Sequence, residues 1–211
     1  MEQESIYAAE KQEPDIPVRK YEPGDPMTKV HWKATARTGR LMSRTVTGLK
    51  KQEVGIFLDH SLVEYNSDWE KIASEDTMLE TAIGLLHFFV REGIQPVIGF
   101  DQGTVFLEKV AHMGHFDSVY QQLSRVHFDS SASFGEALVK MRRDSVGYQV
   151  WITAKETEEL ARLALELAEQ DVRTLVILVS EKPEELLKGL GSDRVQVVTV
   201  RPGQAPEEVL S

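Results

Sequence analysis

From residue 53 onward, apolar and polar positions form blocks that alternate between the strand period and the helix period. Residues 54–58 are a continuous apolar run ending at Asp59, which is typical of a strand buried on both faces. Ser67, with Glu70 three residues later, forms a capping-box pattern and predicts the start of a helix. Apolar residues then recur at helical spacing as far as Gly93, which predicts the end of that helix.

The helical spacing predicts that the large aromatic side chains of this helix, Trp69, Phe88 and Phe89, belong to the core. The remaining blocks predict, in chain order, a strand hairpin at 96–100 and 104–110, a helix at 116–126, a capped helix from Ser133 with Glu136 through Met141, a strand at 148–152, a capped helix from Thr153 with Glu156 to Gln170, a strand at 172–179, a short helix after Pro183 and a strand at 195–200. This order predicts an α/β fold with a doubly wound, mostly parallel sheet and an antiparallel edge strand.

The first 52 residues lack a sustained period and carry turn signals instead. Pro23-Gly24-Asp25-Pro26 favours a tight turn, because proline presets φ and glycine accepts a positive φ. Only residues 41–46 have the pattern of a short strand. We therefore predict an irregular N-terminal leader at 1–52, followed by one domain at 53–211.

Charge separates these two parts. Residues 17–52 contain nine basic and two acidic side chains, whereas residues 53–211 contain 14 basic and 27 acidic ones. The whole chain has a formal charge of −10, which argues against nucleic-acid binding because phosphate neutralisation needs clustered Lys and Arg. A basic leader beside an acidic body predicts that the two pack together or, as the alternative, that the leader faces an anionic partner or membrane surface.

The composition of the chain excludes several other kinds of site and structure. There is no cysteine, so a disulfide framework and a thiolate zinc site are both excluded. The longest apolar run, at residues 82–90, is interrupted by His87 and is far shorter than the roughly 20 residues of a membrane-spanning helix. We expect the chain itself to be soluble.

A dense motif in the leader carries a family resemblance. Its matched positions are Arg19-Lys20-Tyr21-Glu22-Pro23-Gly24-Asp25, Val30-His31-Trp32-Lys33, Ala36-Arg37 and Leu41. In this pattern the chain resembles the bacterial "domain of unknown function 58" family, with Lys29 where the family often has Arg and His31 where Asp is common. The strand that ends at Asp59 agrees with the layout of that family.

The resemblance implies a von Willebrand factor A-like domain without an established catalytic activity. Members of the family commonly follow a pair of membrane helices, and their genes often lie near those of MoxR-type AAA+ ATPases. The resemblance therefore implies a domain at the cytoplasmic face of the bacterial membrane, with a MoxR-type ATPase as the expected partner.

The von Willebrand A fold can hold Mg²⁺ between oxygen ligands, and the resemblance assigns five positions to that site. Asp59 and Ser61 keep the expected oxygens, but Val63, Ala132 and Ala154 stand where the other donors are usual. One carboxylate and one hydroxyl make a poor site for an octahedral cation. We predict a vestigial metal site, no cofactor, and for Asp59 a structural role as a strand-end carboxylate bonded to backbone N–H groups.

Two other groups of residues are weak evidence for a catalytic or metal site. Asp59-His60-Ser61 contains the residue types of a catalytic triad, but triad members usually come from separate loops. His112 and His115 have a spacing that can place both on one metal, yet no third ligand stands near them in sequence. We expect neither a hydrolase nor a zinc site.

The leader motif has two interpretations. Arg19, Tyr21, Gly24, Asp25 and Lys33 form its structural signature, in which Asp25 pairs with Lys33 or Arg37 and Trp32 anchors the leader. Alternatively, Trp32, Arg37 and Arg40 form a docking surface, since Trp and Arg are enriched at binding hot spots. The expected function is that of a non-enzymatic interaction or scaffold domain; the alternative is a metal-dependent ligand binder or hydrolase centred on Asp59 and Ser61.

Overall fold

The apolar run that ends at Asp59 forms the central strand of a six-stranded sheet. The structure, a computed structural model, describes residues 18–20, 32–40, 42–44, 53–142, 146–183, 186–190 and 192–204. The chain consists of two compact units, Met1–Lys51 and Gln52–Ser211, and each is described by itself.

The first unit contains two short strands and one helix. Strand β1 (Val18–Lys20) pairs antiparallel with β2 (Met42–Arg44), and helix α1 (Trp32–Thr38) lies between them in sequence. Gly39 follows α1 with a φ of +65°, a conformation that glycine adopts without strain. The backbone N–H of Met42 donates to Thr35 Oγ1 at 3.0 Å, which ties the start of β2 to the helix.

The second unit contains the elements that the hydrophobic pattern predicts. In chain order they are β3 (Glu53–Leu58), α2 (Asp68–Arg91), β4 (Val97–Asp101), β5 (Val105–Lys109), α3 (Met113–Leu123), α4 (Phe134–Lys140), β6 (Val146–Thr153), α5 (Glu158–Glu169), β7 (Arg173–Val179), a 3₁₀ turn (Lys188–Leu190) and β8 (Val195–Val200). None of the helices in the described ranges is both long and apolar enough to cross a membrane.

The sheet has the strand order β5-β4-β3-β6-β7-β8. All neighbouring strands are parallel except β4 and β5, which form an antiparallel hairpin at one edge. The predicted mostly parallel α/β sheet with an antiparallel edge strand is therefore confirmed. The chain winds from β3 toward β4 on one side and reaches β6 on the other, so the switch point lies between β3 and β6.

Apolar side chains pack on both faces of this sheet, as a doubly wound fold requires. Ile56 and Leu58 of β3 belong to one core cluster with Met78, Ala82 and Leu86 of α2. Phe57, between them, points to the other face, where it joins residues of α4 and α5 in a second cluster. Successive residues of a strand face opposite sides, so one apolar run supplies both cores.

Helix ends show where the sequence signals hold and where they fail. Ser67 and Ser133 cap α2 and α4 as predicted, each accepting a hydrogen bond at 3.1 Å from the backbone N–H three residues on. The predicted capping box of Thr153 and Glu156 is wrong. Helix α5 is capped by Thr157, which accepts a hydrogen bond from the backbone N–H of Leu160. Glu156 instead accepts a bond from the backbone N–H of Leu187 at 3.1 Å.

Two of the aromatic core predictions are also wrong. Trp69 is 64% exposed and Phe88 is 47% exposed, although Phe89 packs against the core as predicted. Trp69 lies in the first turn of α2, ahead of Ser74, the first buried residue of that helix. Helical spacing alone therefore does not show where along its length a helix meets the sheet.

Candidate functional site

The carboxyl ends of β3 and β6 meet at the switch point, where ligands of open α/β sheets usually bind. The backbone N–H of Asp59 donates to the carbonyl oxygen of Ile152 at 2.9 Å, so the two predicted strand ends lie side by side. A cleft of about 340 Å³ opens here, and we call it the switch-point cleft. Its lining residues are Asp59, Ser61, Leu62, Ser130, Ser131, Ala132, Ser133, Phe134, Lys155, Thr157, Glu159 and Leu160.

The Asp59 carboxylate is 4% exposed and hydrogen-bonded at both oxygens. Oδ1 accepts from the backbone N–H of Ser61 at 2.9 Å, and Oδ2 accepts from the hydroxyl of Thr153 at 2.6 Å. Thr153 Oγ1 in turn accepts from the backbone N–H of Lys155 at 3.1 Å. The carboxylate thus holds the loop after β3 against the end of β6.

The hydroxyl groups around the cleft serve mainly to hold backbone. Ser61 and Ser130 form an isolated parallel bridge, with the N–H of Leu62 donating to the Ser130 carbonyl at 2.8 Å. Ser130 Oγ accepts from the backbone N–H of Ala132 at 3.2 Å. Since Ser133 caps α4, it also has a structural partner. The loop after β3 and the segment before α4 are therefore one hydrogen-bonded unit.

The five positions that the resemblance assigns to a magnesium site bring few oxygens together in this cleft. Ala132 lines the cleft with an alkyl group, and Val63 and Ala154 line a neighbouring depression instead of the cleft. Asp59 already accepts two bonds from the protein. Mg²⁺ requires near-octahedral oxygen coordination, and the described residues contain no group of three or more His, Cys, Asp or Glu side chains suited to a metal.

One acidic residue of the cleft escapes sequence reasoning. Glu159, in the first turn of α5, lines the cleft, and its carboxylate lies where a Cβ at Gly135 would be. Only glycine at position 135 leaves room for it. No sequence signal connects Glu159 with Asp59, because they lie 100 residues apart and meet only through the order of the strands.

The triad pattern does not assemble. His60 is buried with its ring edge-on to Phe100, 6.5 Å between ring centroids, and its Nδ1 has no hydrogen-bond partner. The Asp59 carboxylate instead bonds Thr153. Alternating side chains of an extended segment face opposite sides, which separates His60 from its neighbours.

The histidine pair has a structural explanation. His112 caps α3 by accepting from the backbone N–H of His115 at 3.3 Å, so this helix begins three residues earlier than predicted. His115 Nε2 lies within ion-pair distance of Glu108. Each of the two imidazoles therefore has a partner within the protein.

A second depression of about 610 Å³ lies at the same edge of the sheet, and we call it the Trp69 groove. Its lining residues are Val63, Glu64, Tyr65, Asn66, Ser67, Trp69, Glu70, Ser74, Ala154, Val179, Ser180, Glu181 and Lys182. They come from the loop after β3, the start of α2, and the ends of β6 and β7. Trp69, which helical spacing predicts to be in the core, instead lines this groove, so the hydrophobic pattern gives no sign of it.

The Trp69 groove has a negative electrostatic environment. Burial, followed by the nearby carboxylates of Glu75 and Asp59, raises the pKa of Tyr65 to about 12. Burial also raises the pKa of Glu75, with Asp76 adding to the effect and Lys71 opposing it. Both shifts have the direction expected where negative charge is partly removed from water.

The predicted residues of the leader are only partly described. Arg37 and Arg40 are exposed. Arg19 lies in β1, and Trp32 and Lys33 open α1, whereas Tyr21, Gly24 and Asp25 lie outside the described residues. The docking role of Trp32, Arg37 and Arg40, and the structural role of the signature, stay predictions.

Comparison with known proteins bears on the leader and the first strands of the sheet. Residues 17–102 match the family model "Protein of unknown function DUF58". The resemblance read from the leader motif is thereby confirmed over that range. The sequence is also 26% identical over 179 residues to "Uncharacterized protein YeaD" of Bacillus subtilis (strain 168), a match that covers 80% of this chain.

The match covers 40% of the length of YeaD, so the chain spans less than half of that relative. Neither description names an activity, a substrate or a partner. The comparisons therefore support a family relationship in the first half of the chain and leave the function to be inferred from the site.

Proposed function

We propose that this chain is a non-enzymatic protein-interaction domain that works through the carboxyl edge of its sheet. The observation that carries the proposal is the exposure of two large apolar side chains there, Leu62 at 62% and Trp69 at 64%. Leu62 lies at the switch-point cleft and Trp69 at the neighbouring groove. Large apolar groups at a position where a fold usually binds ligands are typical of a docking surface.

The chemistry of the switch-point cleft supports an interaction role over a catalytic one. Asp59 is engaged by Ser61 and Thr153, and His60 faces Phe100. A general base must reach the proton that it removes, and a nucleophile needs an activating neighbour. In this cleft Asp59, Ser130 and Ser133 are each engaged in structural hydrogen bonds.

The wider setting follows from the family resemblance. We propose a von Willebrand A-like domain, anchored to the cytoplasmic face of the bacterial membrane in the intact protein, with a MoxR-type AAA+ ATPase as partner. The mostly parallel sheet and the aspartate at its switch point support the architecture. The match of residues 17–102 supports the family context.

Binding to a purified MoxR-type ATPase from the same organism tests this function. We expect Leu62→Ser and Trp69→Ala to weaken the complex about tenfold or more, as for hot-spot side chains. Phe88→Ala is the matched control, because Phe88 is also exposed on α2 but does not line either depression. Absence of a complex, or equal affinity of all variants, contradicts the proposal.

The leader provides a separate arm of this experiment. Arg37→Glu reverses an exposed charge on α1, and Trp32→Ala removes the predicted anchor or hot spot. If the leader forms the docking surface, these two variants weaken the complex and those of the carboxyl edge do not. That result moves the interface to the first unit and overturns the carboxyl-edge proposal.

The alternative is a metal-dependent ligand binder or hydrolase centred on Asp59 and Ser61. It gains support from Glu159, which adds a second carboxylate to the same cleft. Calorimetric titration with Mg²⁺ and Mn²⁺ separates the two functions. Millimolar or tighter binding that Asp59→Ala or Glu159→Gln abolishes, and Asp117→Ala on α3 preserves, establishes the alternative.

A further inference from the structure

The Trp69 indole is largely exposed, with one part of the ring near other backbone of the chain. A Cβ placed at Gly203 would lie 3.9 Å from Trp69 Cζ2, so the ring passes close to the backbone after β8. That backbone is itself fixed, because the N–H of Gly203 donates to Thr77 Oγ1 on α2 at 2.9 Å. A positioned aromatic ring loses little conformational entropy when a partner binds.

Acidic side chains outnumber basic ones in the groove that Trp69 lines. Glu64, Glu70 and Glu181 line the groove, against a single basic residue, Lys182. Glu64 and Glu181 form no ion pair with any described residue. Glu70 uses Oε2 to accept two bonds from Asn66, at 3.0 and 2.9 Å, and these hold its carboxylate at the groove.

The carboxylates behind the groove reinforce the negative potential. Tyr65 lines the groove, and its pKa is raised to about 12 chiefly by burial, with the charges of Glu75 and Asp59 adding to the effect. The region from residue 53 onward carries 27 acidic and 14 basic side chains, so its overall field has the same sign. A cationic ligand is attracted to such a surface and an anionic one is repelled.

We propose that the Trp69 groove binds a cationic segment of the partner protein, with an arginine or lysine side chain over the Trp69 indole and the glutamates around it as counter-charges. The inference rests on the proposed function and adds the chemistry of the partner. An aromatic face attracts a cation within about 6 Å of its centroid. Arginine is favoured over lysine, since its planar guanidinium also stacks on the ring and forms two hydrogen bonds to one carboxylate.

The groove matches a cation better than the other candidate occupants. An acidic peptide meets the repulsion of Glu64, Glu70 and Glu181. A purely apolar helix would bury those carboxylates without partners, which is costly. A cationic segment can both lie against the Trp69 ring and neutralise the carboxylates of the groove.

The test uses the whole chain and three synthetic peptides of equal length, in which glycine alternates with arginine, lysine or glutamate. Fluorescence anisotropy of labelled peptides gives the affinities. We expect the arginine peptide to bind most tightly, the lysine peptide more weakly and the glutamate peptide not at all. Affinity falls as salt is raised, because exposed charges are screened.

Variants locate the binding. Trp69→Ala is expected to weaken the arginine peptide about tenfold, and Trp69→Phe less, since Trp is the best of the aromatic platforms. Glu181→Gln is expected to weaken it several-fold. Glu80→Gln is the matched control, because it removes the same charge from an exposed position of α2 that does not line the groove.

Equal effects of Glu181→Gln and Glu80→Gln, together with no effect of Trp69→Ala, would reveal diffuse charge attraction and overturn the inference. The outcome is distinguishable from failure of the proposed function. If Trp69→Ala still weakens the ATPase complex but no cationic peptide binds the groove, the partner chemistry is wrong and the interaction role stands. If the peptide binds the groove but no ATPase complex forms, the cation site stands and the partner is wrong.

Discussion

The switch-point cleft and the Trp69 groove lie at the same edge of one sheet and use their side chains in opposite ways. In the cleft, the Asp59 carboxylate is already bonded within the protein, by the Ser61 N–H and the Thr153 hydroxyl. In the groove, a large aromatic side chain is left open to solvent among acidic ones. A residue type at a strand end therefore does not reveal its role until its bonding partners are known.

The contrast has a consequence for stability. Groups of the cleft hold separate parts of the chain together, since the Asp59–Thr153 bond joins residues 94 positions apart. The exposed Trp69 side chain of the groove contributes little to the folded state, because changes at exposed positions are usually mild. Mutations in the two places should separate folding from binding.

Trp151 and Trp69 give the largest expected difference. Trp151 is fully buried in β6 and donates from Nε1 to Gln149 Oε1 at 2.8 Å. Trp151→Ala should lower the free energy of unfolding by about 3–5 kcal/mol. Trp69→Ala should lower it by less than about 1 kcal/mol, because most of the indole is exposed. Urea unfolding measures both, and similar losses would place Trp69 in the core after all.

Removal of the Asp59 carboxylate is the next largest effect. Asp59→Ala should cost about 2–3 kcal/mol, because the Ser61 N–H and the Thr153 hydroxyl lose their acceptor in a buried place. Asp59→Asn should cost less, since its amide oxygen keeps one acceptor. Asp117→Ala, at an exposed position of α3, is the control and should change stability by about 0.5 kcal/mol or less. If Asp59→Ala is as stable as the wild type, the carboxylate does not stabilise the fold, and a functional role for it is favoured.

Thr153→Val tests the other end of the same bond. It should cost about 1–2 kcal/mol, because it leaves Asp59 Oδ2 and the Lys155 N–H without their partner. The double variant with Asp59→Ala should lose less than the sum of the single losses, as expected for two residues in one network. Additive losses in chemical denaturation would show that the bond contributes nothing.

The smallest effect concerns Glu75, beside the Trp69 groove. Its pKa is raised above the ordinary value of 4.5, chiefly by burial, so the folded state binds this proton more tightly than the unfolded state does. The stability contributed by that proton is present below about pH 4.5 and is lost as the pH rises through the folded pKa. Glu75→Gln should therefore match the wild type in acid and exceed it at pH 7, by less than about 1 kcal/mol.

Unfolding curves across this pH range check the prediction, with Glu80→Gln as the control at an exposed site on the same helix. A lower stability of Glu75→Gln at pH 7 would show instead that the Lys71 pair, at 3.9 Å, outweighs burial.

Local sequence signals predicted much of the fold. Apolar, β-rich runs identified β3 and β7, and serine caps located α2 and α4. These signals succeed because a cap or a buried strand depends on residues only a few positions apart. They wrongly predicted a helix cap at Thr153, because its hydroxyl donates to Asp59, which lies 94 residues away in sequence.

The candidate site was predicted in part for the same reason. The apolar run before Asp59 predicted a strand-end carboxylate bonded to backbone N–H groups, and Asp59 accepts such a bond from Ser61, two residues away. Glu159 and Trp69 were not placed at the carboxyl edge of the sheet, since the hydrophobic pattern of a helix states which side faces the core but not how far the helix extends past the sheet.

By itself, the sequence determined the order of strands and helices, the charge of each part and the presence of alkyl side chains at Val63, Ala132 and Ala154, because these depend on residue identity and short-range spacing. Only the tertiary structure decided that Asp59 is already bonded and that Trp69 is open to solvent. Those two facts depend on contacts between segments far apart in the chain, which the packing of the sheet brings together.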